Sequence, residues 1–269
     1  YLVNKDGERF IDELKPRDEV SRAIYEYINK DHKVYLDLRH LGLDKIKEVM
    51  PQERTLALEF SNVKLESELL AITPAAHYSM GGIKTDINCK TNILNLYACG
   101  ECAQSFIHGA NRLGGNSLLE IITFGKVAGI NASKEAQIMD DFILSNNKQF
   151  EKDKGLIEDI YSLPNKISFY QKKEYLGNLL FEDLGLFRSK SKMKNLLNKI
   201  DEITKDLPKM GIGDKSKEFN RNLVEFIEFK NSLEVSKIAT LCAINRKESR
   251  GSHYRVDYPN IEKEFEKCS

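Results

Sequence analysis

Short apolar runs and helical repeats alternate in the first part of the chain. Lys5-Asp6-Gly7 lies between two short apolar runs and predicts a hairpin over residues 1–10. Pro16 is expected to open a helix, because apolar residues recur at helical spacing after it. The run 34–38 predicts a strand, and short helical stretches are expected to follow it up to about Phe60.

A β-rich pattern follows. Two β-rich runs, 71–78 and 82–86, flank the turn Met80-Gly81-Gly82. The apolar run from Leu94 to Ala98 predicts a buried strand that ends at Gly100. These runs are therefore predicted to be pieces of a sheet whose main part is built elsewhere.

Helical patterns dominate the rest of the chain. A helix is expected to begin after a cap at Asn116 or Ser117, with Glu120 in position to complete a capping box. Apolar residues then recur at helical spacing from about residue 166 to residue 246, which predicts an antiparallel helical bundle. The glycines of the segment 210–213 predict a break between its last two helices.

Composition excludes several classes of function. The 269 residues are 41% apolar, which is enough for one large or two modest globular domains. The 41 basic and 41 acidic residues cancel, so no global field favours nucleic acid or an anionic membrane. No apolar run reaches the roughly 18 residues that a membrane-spanning helix needs. Any ligand must therefore bind at a local site.

The cysteine pattern favours a reducing compartment, because five irregularly spaced cysteines do not form a disulfide framework. Cys99 and Cys102 have the spacing of a zinc knuckle or a redox pair. No second pair of cysteines or histidines follows at ligand spacing, so we predict no metal site. Small residues at a tight junction between a strand and a loop explain the two cysteines better.

The densest candidate for a ligand site is the segment 108–120, His-Gly-Ala-Asn-Arg-Leu-Gly-Gly-Asn-Ser-Leu-Leu-Glu. Its glycines permit close approach of a ligand, and the start of a helix presents unpaired N–H groups with partial positive charge. Spacing alone leaves an ordinary glycine-rich turn as an equal alternative. A second pointer is Arg17, since a cation at the start of a helix is electrostatically out of place.

Five motifs follow one another along the chain: PRDEVSRAI, PAAHYSMGGI, LYACGE, HGANRLGGNSLLE and RKESRGSHYRVDYP. Together they resemble the flavoprotein subunits of succinate dehydrogenase and fumarate reductase, a superfamily that includes L-aspartate oxidase. The resemblance runs in order from Lys5 to Pro259.

The resemblance implies an α/β plus α fold in three parts. Residues 1–70 are expected to form a partial capping domain that binds substrate. Residues 71–137 are expected to form the carboxy-terminal part of a FAD-binding Rossmann-like domain, and residues 138–269 a helical domain. The glycine-rich GxGxxG element that binds the ADP part of FAD does not occur in this sequence. We therefore expect a carboxy-terminal fragment of a longer protein.

The cofactor that the resemblance implies is FAD. Glu101 matches the family glutamate that contacts the ribitol or ribose. Asn116, Ser117 and Leu118 match the helix start at the pyrimidine end of the flavin, where a helix amino terminus stabilises negative charge. Tyr78 matches a residue that faces the flavin, although aromatic packing explains a tyrosine there nearly as well.

The substrate that the resemblance implies is a dicarboxylate held by His77 and Arg112. Arginine binds a carboxylate through two parallel hydrogen bonds, and histidine adds a donor. Arg17 matches the family's proton-transfer group, which works beside hydride transfer at flavin N5. Without the resemblance, His77 would be a satisfied core histidine, Arg112 part of a surface ion pair and Arg17 a surface charge.

The implied function is interconversion of succinate and fumarate, with electrons exchanged with an iron–sulfur subunit. Membrane association is expected only through other subunits, which places the protein in the cytoplasm or on the inner face of the cell membrane. L-aspartate oxidase is the second hypothesis. Gly114-Gly115 favours the respiratory branch, whereas the segments PAAHY and VYLD favour the oxidase. A third hypothesis is that the chain is inactive and only contacts other subunits.

The segment 246–255 concentrates charge just after the last long helix. The resemblance implies that it packs back toward the flavin domain. A helix end decorated with salt bridges is an equally good explanation from the residues alone.

Overall fold

The computed structural model describes residues 1–30, 32–138 and 148–266. The chain divides into two compact units, Tyr1–His77 and Tyr78–Ser269. The domain boundaries predicted after residues 70 and 137 stay predictions.

The first unit combines a small sheet with three helices. Its strands form an antiparallel sheet in the order β1-β2-β3, with Leu2 opposite Leu36 and Val34 opposite Ile72. Its elements in chain order are β1 (Leu2–Val3), α1 (Arg17–Ile28), β2 (Val34–Leu36), α2 (Gly42–Val49), α3 (Pro51–Ser61) and β3 (Leu70–Ile72).

The predicted hairpin, helix and strand of this unit are confirmed. Gly7 has a φ of +80°, and its N–H donates to the Asn4 carbonyl at 3.1 Å, which closes the hairpin turn. Helix α1 begins directly after Pro16, which lacks an N–H and suits a helix start. Its apolar face packs with Leu2 and Val34 in the first core cluster.

The second unit begins with a two-stranded parallel ladder, in which Ile83 of β4 (Ile83–Lys84) pairs with Ala103 of β5 (Ala103–Gln104). The backbones of residues 82 and 102 approach closely beside this ladder. A Cβ on Gly82 would lie 2.2 Å from the Cys102 carbonyl oxygen, so only glycine fits there.

The buried strand predicted over residues 94–98 is wrong. Leu94 is 81% exposed, and the segment forms a tight turn, in which the Thr91 N–H donates to the Leu96 carbonyl at 3.0 Å. Asn95 has a φ of +62°, a left-handed conformation that interrupts an extended strand. The run 71–78 also departs from the prediction, since only its first residues are extended, as part of β3 in the first unit.

The helices of the second unit are α4 (Asn116–Ile138), α5 (Lys148–Ser162), α6 (Phe169–Leu184), α7 (Lys190–Asp206) and α8 (Arg221–Asn245). The last three pack on one another and form the predicted bundle. The break between α7 and α8 is confirmed. A Cβ on Gly211 would lie 2.3 Å from the Leu163 carbonyl oxygen, so this glycine permits the chain to cross closely there.

The bundle core is apolar and largely excludes solvent. Its buried residues repeat along one face of each helix, as their spacing predicts. They include Phe169, Leu176, Leu196, Ile200, Ile203, Phe226, Phe229 and Leu233. Among the described helices, none is both long and apolar enough to cross a bilayer.

The charged segment after α8 folds over the end of that helix. Glu248 is fully buried and accepts hydrogen bonds from Arg246 and from two nitrogens of Arg250. Arg255 is also fully buried, and Ser252 contacts Ala110. Both explanations of this segment are therefore correct, because it forms salt bridges at the helix end and also contacts the glycine-rich segment 108–120.

His253 is held in its neutral form inside this segment. Its Nδ1 accepts from Arg188 Nη1 at 2.7 Å, and its Nε2–H donates to the Arg246 carbonyl at 3.1 Å. Burial, with a further contribution from the Arg188 charge, lowers the pKa of His253 from 6.5 to about 4. Unfolding therefore lets His253 take up a proton between these two pH values.

We expect the free energy of unfolding to fall as pH decreases from about 6.5 to about 4, because protonation of His253 favours the unfolded chain. His253→Gln should weaken this pH dependence, since glutamine does not titrate. The measurement is the urea midpoint at pH 7.5 and pH 5. His40→Gln, at an exposed position, is the control. Equal pH dependence in wild type and His253→Gln would contradict the prediction.

Candidate functional site

The glycine-rich segment is a series of tight turns that leads into α4. Gly109 and Gly115 have φ values of +56° and +81°. The Gly109 N–H donates to the Phe106 carbonyl, and the Asn116 N–H donates to the Leu113 carbonyl. The predicted helix is confirmed, but α4 begins at Asn116 itself, so Asn116 and Ser117 lie in its first turn and not at its cap.

Glu120 is the buried centre of the site. Its side chain is 1% exposed and accepts hydrogen bonds from Tyr78 Oη at 2.7 Å and Ser105 Oγ at 3.1 Å. His108 Nε2 lies 2.8 Å from the same carboxylate. Glu120 is therefore not the capping-box residue that the sequence predicts. Its carboxylate faces inward and joins three segments of the second unit.

The carboxylate and the phenol of this cluster keep their ordinary charge states. Burial raises the pKa of Glu120, but hydrogen bonds from Tyr78, His108 and Ser105 together outweigh burial, so its pKa is lowered overall. Burial and the hydrogen bond to Glu120 raise the pKa of Tyr78 to about 12. At neutral pH an ionised carboxylate therefore accepts from a neutral tyrosine hydroxyl.

Arg112 lies on the face of Tyr78. The centre of its guanidinium is 4.4 Å from the ring centroid, within the range of a cation–π interaction. Its Nη1 donates to the Leu113 carbonyl at 3.0 Å, and its backbone N–H lies 3.1 Å from the Met80 sulfur. Its Nε is buried and has no hydrogen-bond partner among the described residues.

Glu101 joins this group from the turn after residue 99. Its Oε1 accepts from the Ser79 N–H at 2.8 Å, so Glu101 is tied to the residue after Tyr78. Gly100 has a φ of +75°, and a Cβ there would lie 3.0 Å from the Ile121 side chain of α4. The turn that carries Glu101 therefore packs closely on the first part of α4.

The start of α4 suits a flavin. Asn116 and Ser117 lie half-buried in the first turn, where backbone N–H groups lack partners within the helix. Leu118 is 64% exposed and offers an apolar surface beside these donors. Exposed apolar carbons, the N–H groups of the first helical turn and the nearby Glu101 suit the flat ring, the carbonyl acceptors and the hydroxyl groups of FAD.

Arg17 and His77 belong to the first unit. Arg17 is the exposed first residue of α1, and His77 is exposed at the end of the unit. The structure brings Tyr78, Glu101 and Arg112 together within the second unit. The roles of all five residues stay predictions.

Sequence reasoning missed Glu120 and His108 as members of the site. Both lie in the motif that carries the strongest resemblance, but their shared partner Tyr78 is 42 residues before Glu120. Local spacing does not report a contact over that distance.

Among the described residues, no group of three histidines, cysteines or acidic residues is arranged to hold a metal ion.

Two family profiles match the chain in tandem. The FAD binding domain profile matches residues 1–118, and the fumarate reductase flavoprotein C-terminal profile matches residues 173–267. The 8-methylmenaquinol:fumarate reductase flavoprotein subunit of Wolinella succinogenes is 38% identical, over 96% of this chain and 45% of the relative. The succinate dehydrogenase flavoprotein subunit of Coxiella burnetii is 34% identical, over 96% of this chain and 48% of the relative.

The solved structures agree with these relatives. A structure of E. coli quinol fumarate reductase matches with a TM-score of 0.89 and 32% identity, over 97% of this chain and 50% of that chain. The chain thus spans about half the length of the relatives it matches.

The fold and these similarities place the chain among the FAD-binding flavoproteins. The chain belongs to the family of flavoprotein subunits of fumarate reductases and succinate dehydrogenases. The predicted fold class is confirmed, with parts of a capping domain and of a FAD-binding domain followed by a helical bundle.

Proposed function

We propose that the protein interconverts succinate and fumarate as the flavoprotein subunit of a larger enzyme. Its relatives are named fumarate reductase and succinate dehydrogenase flavoprotein subunits. The observation that carries the proposal is the state of Arg112, which lies beside the proposed flavin site with one buried and unpaired donor.

A buried donor without a partner costs about 1–3 kcal/mol, more when it is charged, so such a group favours binding of an acceptor. A carboxylate is the acceptor that best matches a guanidinium, because two parallel N–H···O bonds form at once. Arg112 is therefore our candidate for the residue that binds one carboxylate of the substrate. His77 is proposed to bind the dicarboxylate as well.

Tyr78 and Glu120 would fix the direction in which Arg112 points. The Tyr78 ring supports the guanidinium, and the Tyr78 hydroxyl is anchored to the buried Glu120 carboxylate. An aromatic ring held at its hydroxyl end cannot rotate away without breaking that hydrogen bond. The arginine would therefore meet the substrate in a preorganised position, which reduces the ordering cost of binding.

The flavin would be held by Glu101 and by the start of α4. Glu101 is proposed to contact the ribitol or ribose, and Asn116, Ser117 and Leu118 to meet the pyrimidine end. The partial positive charge of the helix start favours negative charge at that place. When bound, FAD exchanges hydride with the substrate. Tyr78 is proposed to face the flavin while it supports Arg112.

The remaining roles concern the proton and the partners. Arg17 is proposed to deliver a proton to the substrate carbon during fumarate reduction and to remove it in the reverse reaction. A separate iron–sulfur subunit is proposed to exchange electrons with the flavin. We propose that association with the inner face of the cell membrane occurs through other subunits.

Replacing Arg112 with glutamine tests the proposal. We expect kcat/KM for fumarate to fall about 10- to 150-fold, mainly through a higher KM, because a charge-assisted hydrogen bond contributes about 1.5–3 kcal/mol. The measurement is fumarate-dependent reoxidation of a reduced dye by the full-length flavoprotein.

Arg221→Gln is the matched control, because Arg221 is exposed at the start of α8 and outside the site. Flavin absorbance is recorded for each variant, so that loss of cofactor is separated from loss of substrate binding. A variant at position 112 that keeps its flavin and the wild-type KM would exclude Arg112 from substrate binding. Absence of fumarate turnover in the wild type would overturn the proposed reaction.

A further inference from the structure

A turn from the carboxy-terminal segment contacts the loop that carries Arg112. The backbone N–H and the hydroxyl of Ser252 both donate to the Ala110 carbonyl, each at 3.0 Å. Two donors on one carbonyl use both of its lone pairs. The Ala110 peptide is thus fixed by a residue 142 positions later in the sequence.

The neighbouring glycine shows how closely the two segments approach. Gly251 has a φ of +55°, and a Cβ on it would lie 2.5 Å from the Ala110 carbonyl oxygen. A side chain at this position would push the loop away from the turn. The close contact therefore depends on both the glycine and the serine.

The turn is rigidly held on its other side. Arg250 and His253 pair across it, with N–H···O distances of 2.8 and 3.1 Å. Arg250 also forms two hydrogen bonds to the fully buried Glu248, and the His253 ring contacts Arg188. Ser252 consequently projects from a fixed support in the helical part of the second unit.

We propose that Ser252 is a positioning residue for the dicarboxylate site, because it fixes the Ala110 peptide and with it Arg112. Arg112 follows Ala110 by two residues, so a displacement of the Ala110 peptide moves the backbone from which the guanidinium extends. This inference rests on the proposed role of Arg112. It adds that the carboxy-terminal segment, through Ser252, sets the affinity for the substrate.

Ser252→Ala removes one of the two donors and keeps the backbone N–H. We expect KM for fumarate to rise about three- to tenfold, as the loss of one ordinary hydrogen bond implies, while kcat changes less than about twofold. Ser252→Thr keeps a hydroxyl donor and should restore KM to near the wild-type value. Rescue by threonine separates the hydroxyl from a general effect of mutation at this position.

Hydrogen exchange tests the contact without relying on catalysis. The amides of residues 109–112 should exchange faster in Ser252→Ala, because the loop loses part of its support. Ser236→Ala is the matched control, since this buried serine of α8 also donates its hydroxyl to a carbonyl, at 2.6 Å, but does not contact the loop. Gly251→Ala should give a larger increase in exchange than Ser252→Ala.

The outcomes distinguish the two proposals. Faster exchange at 109–112 together with a raised KM in Ser252→Ala supports the positioning role. Faster exchange with an unchanged KM would overturn it and leave only a structural contact, and unchanged exchange would overturn the contact as well. Absence of fumarate turnover in the wild type would instead refute the proposed function, and exchange at 109–112 would still report on the contact.

Discussion

Arg17→Lys should lower kcat for fumarate reduction about 10²- to 10⁴-fold and change KM little, because a positioned proton donor contributes a factor of this size to the rate. Lysine keeps the positive charge but replaces a planar group with a single ammonium on a different stem, so the proton is no longer placed at the same point. The measurement is fumarate-dependent reoxidation of a reduced dye by the full-length flavoprotein.

The structure gives Arg17 no evident role in stability. It is exposed at the start of α1, and the described residues offer it no hydrogen bond or ion pair. Its acidic neighbours have other partners, since Asp18 pairs with Arg22 at 2.7 Å and Glu19 lies 3.7 Å from Lys15. A cation at this end of a helix is also opposed by the helix dipole. Arg17→Lys should therefore leave the melting temperature unchanged.

Arg39→Lys is the matched control for this experiment. Arg39 lies in the same unit and pairs at the surface with Asp37, a type of interaction that contributes little to stability. A wild-type kcat in Arg17→Lys would remove Arg17 from the proton transfer and leave the reaction intact. If the wild type itself does not reduce fumarate, aspartate-dependent oxygen consumption becomes the next assay, because it tests the L-aspartate oxidase hypothesis.

Periodic patterns predicted the elements whose apolar faces are long. Helix α1 and the bundle helices repeat apolar residues over several turns, and such a repeat fits only one kind of element. Residues 94–98 are too few to make that distinction. Their apolar character is equally compatible with a turn. The left-handed backbone conformation of Asn95 interrupts an extended strand, so the segment forms a turn. A single backbone angle of this kind is not visible in hydrophobic spacing.

A motif names candidate site residues one by one, but the sequence does not show which of them meet when their segments are far apart in the chain. Arg112 and Tyr78 were both candidates, but the sequence does not show that the arginine lies on the tyrosine ring. Glu120 has the spacing of a capping residue, yet three distant donors draw its carboxylate into the interior. The burial of Arg255 and Glu248 was missed as well, since charged residues are rarely buried unless they are paired.

Arg255→Met should reduce the free energy of unfolding by about 3–5 kcal/mol, as expected when one member of a buried charge network is removed. Arg255 is fully buried and forms two hydrogen bonds to Asp257, at 2.7 and 2.8 Å. Its Nη1 also donates to the carbonyls of Ala243, Ile244 and Arg246 at the end of α8. These carbonyls have no partners within the helix, so Arg255 acts as a cap.

Methionine fills a similar volume but donates no hydrogen bond, so the carboxylate and the helix end lose all the hydrogen bonds that Arg255 supplies. The measurement is urea unfolding followed by circular dichroism. Arg221→Met is the control, because Arg221 is exposed at the other end of the same helix. We expect the control to change the free energy of unfolding by less than about 0.5 kcal/mol, as is usual for surface substitutions. Equal stability of both variants would contradict the prediction.

The pH dependence of stability distinguishes the two contributions of Arg255, its ion pair with Asp257 and its capping of α8. The hydrogen bonds from Arg255 hold the pKa of Asp257 at about 2, below its ordinary 3.8. A pKa that is lowered by folding stabilises the native state above about pH 4, and this stabilisation is lost as pH falls toward 2. Arg255→Met lacks this contribution at every pH. The difference between wild type and variant should therefore narrow between pH 4 and pH 2, and the part that persists at pH 2 would measure the capping of α8. A difference that stays constant over this range would assign the whole effect to the helix cap.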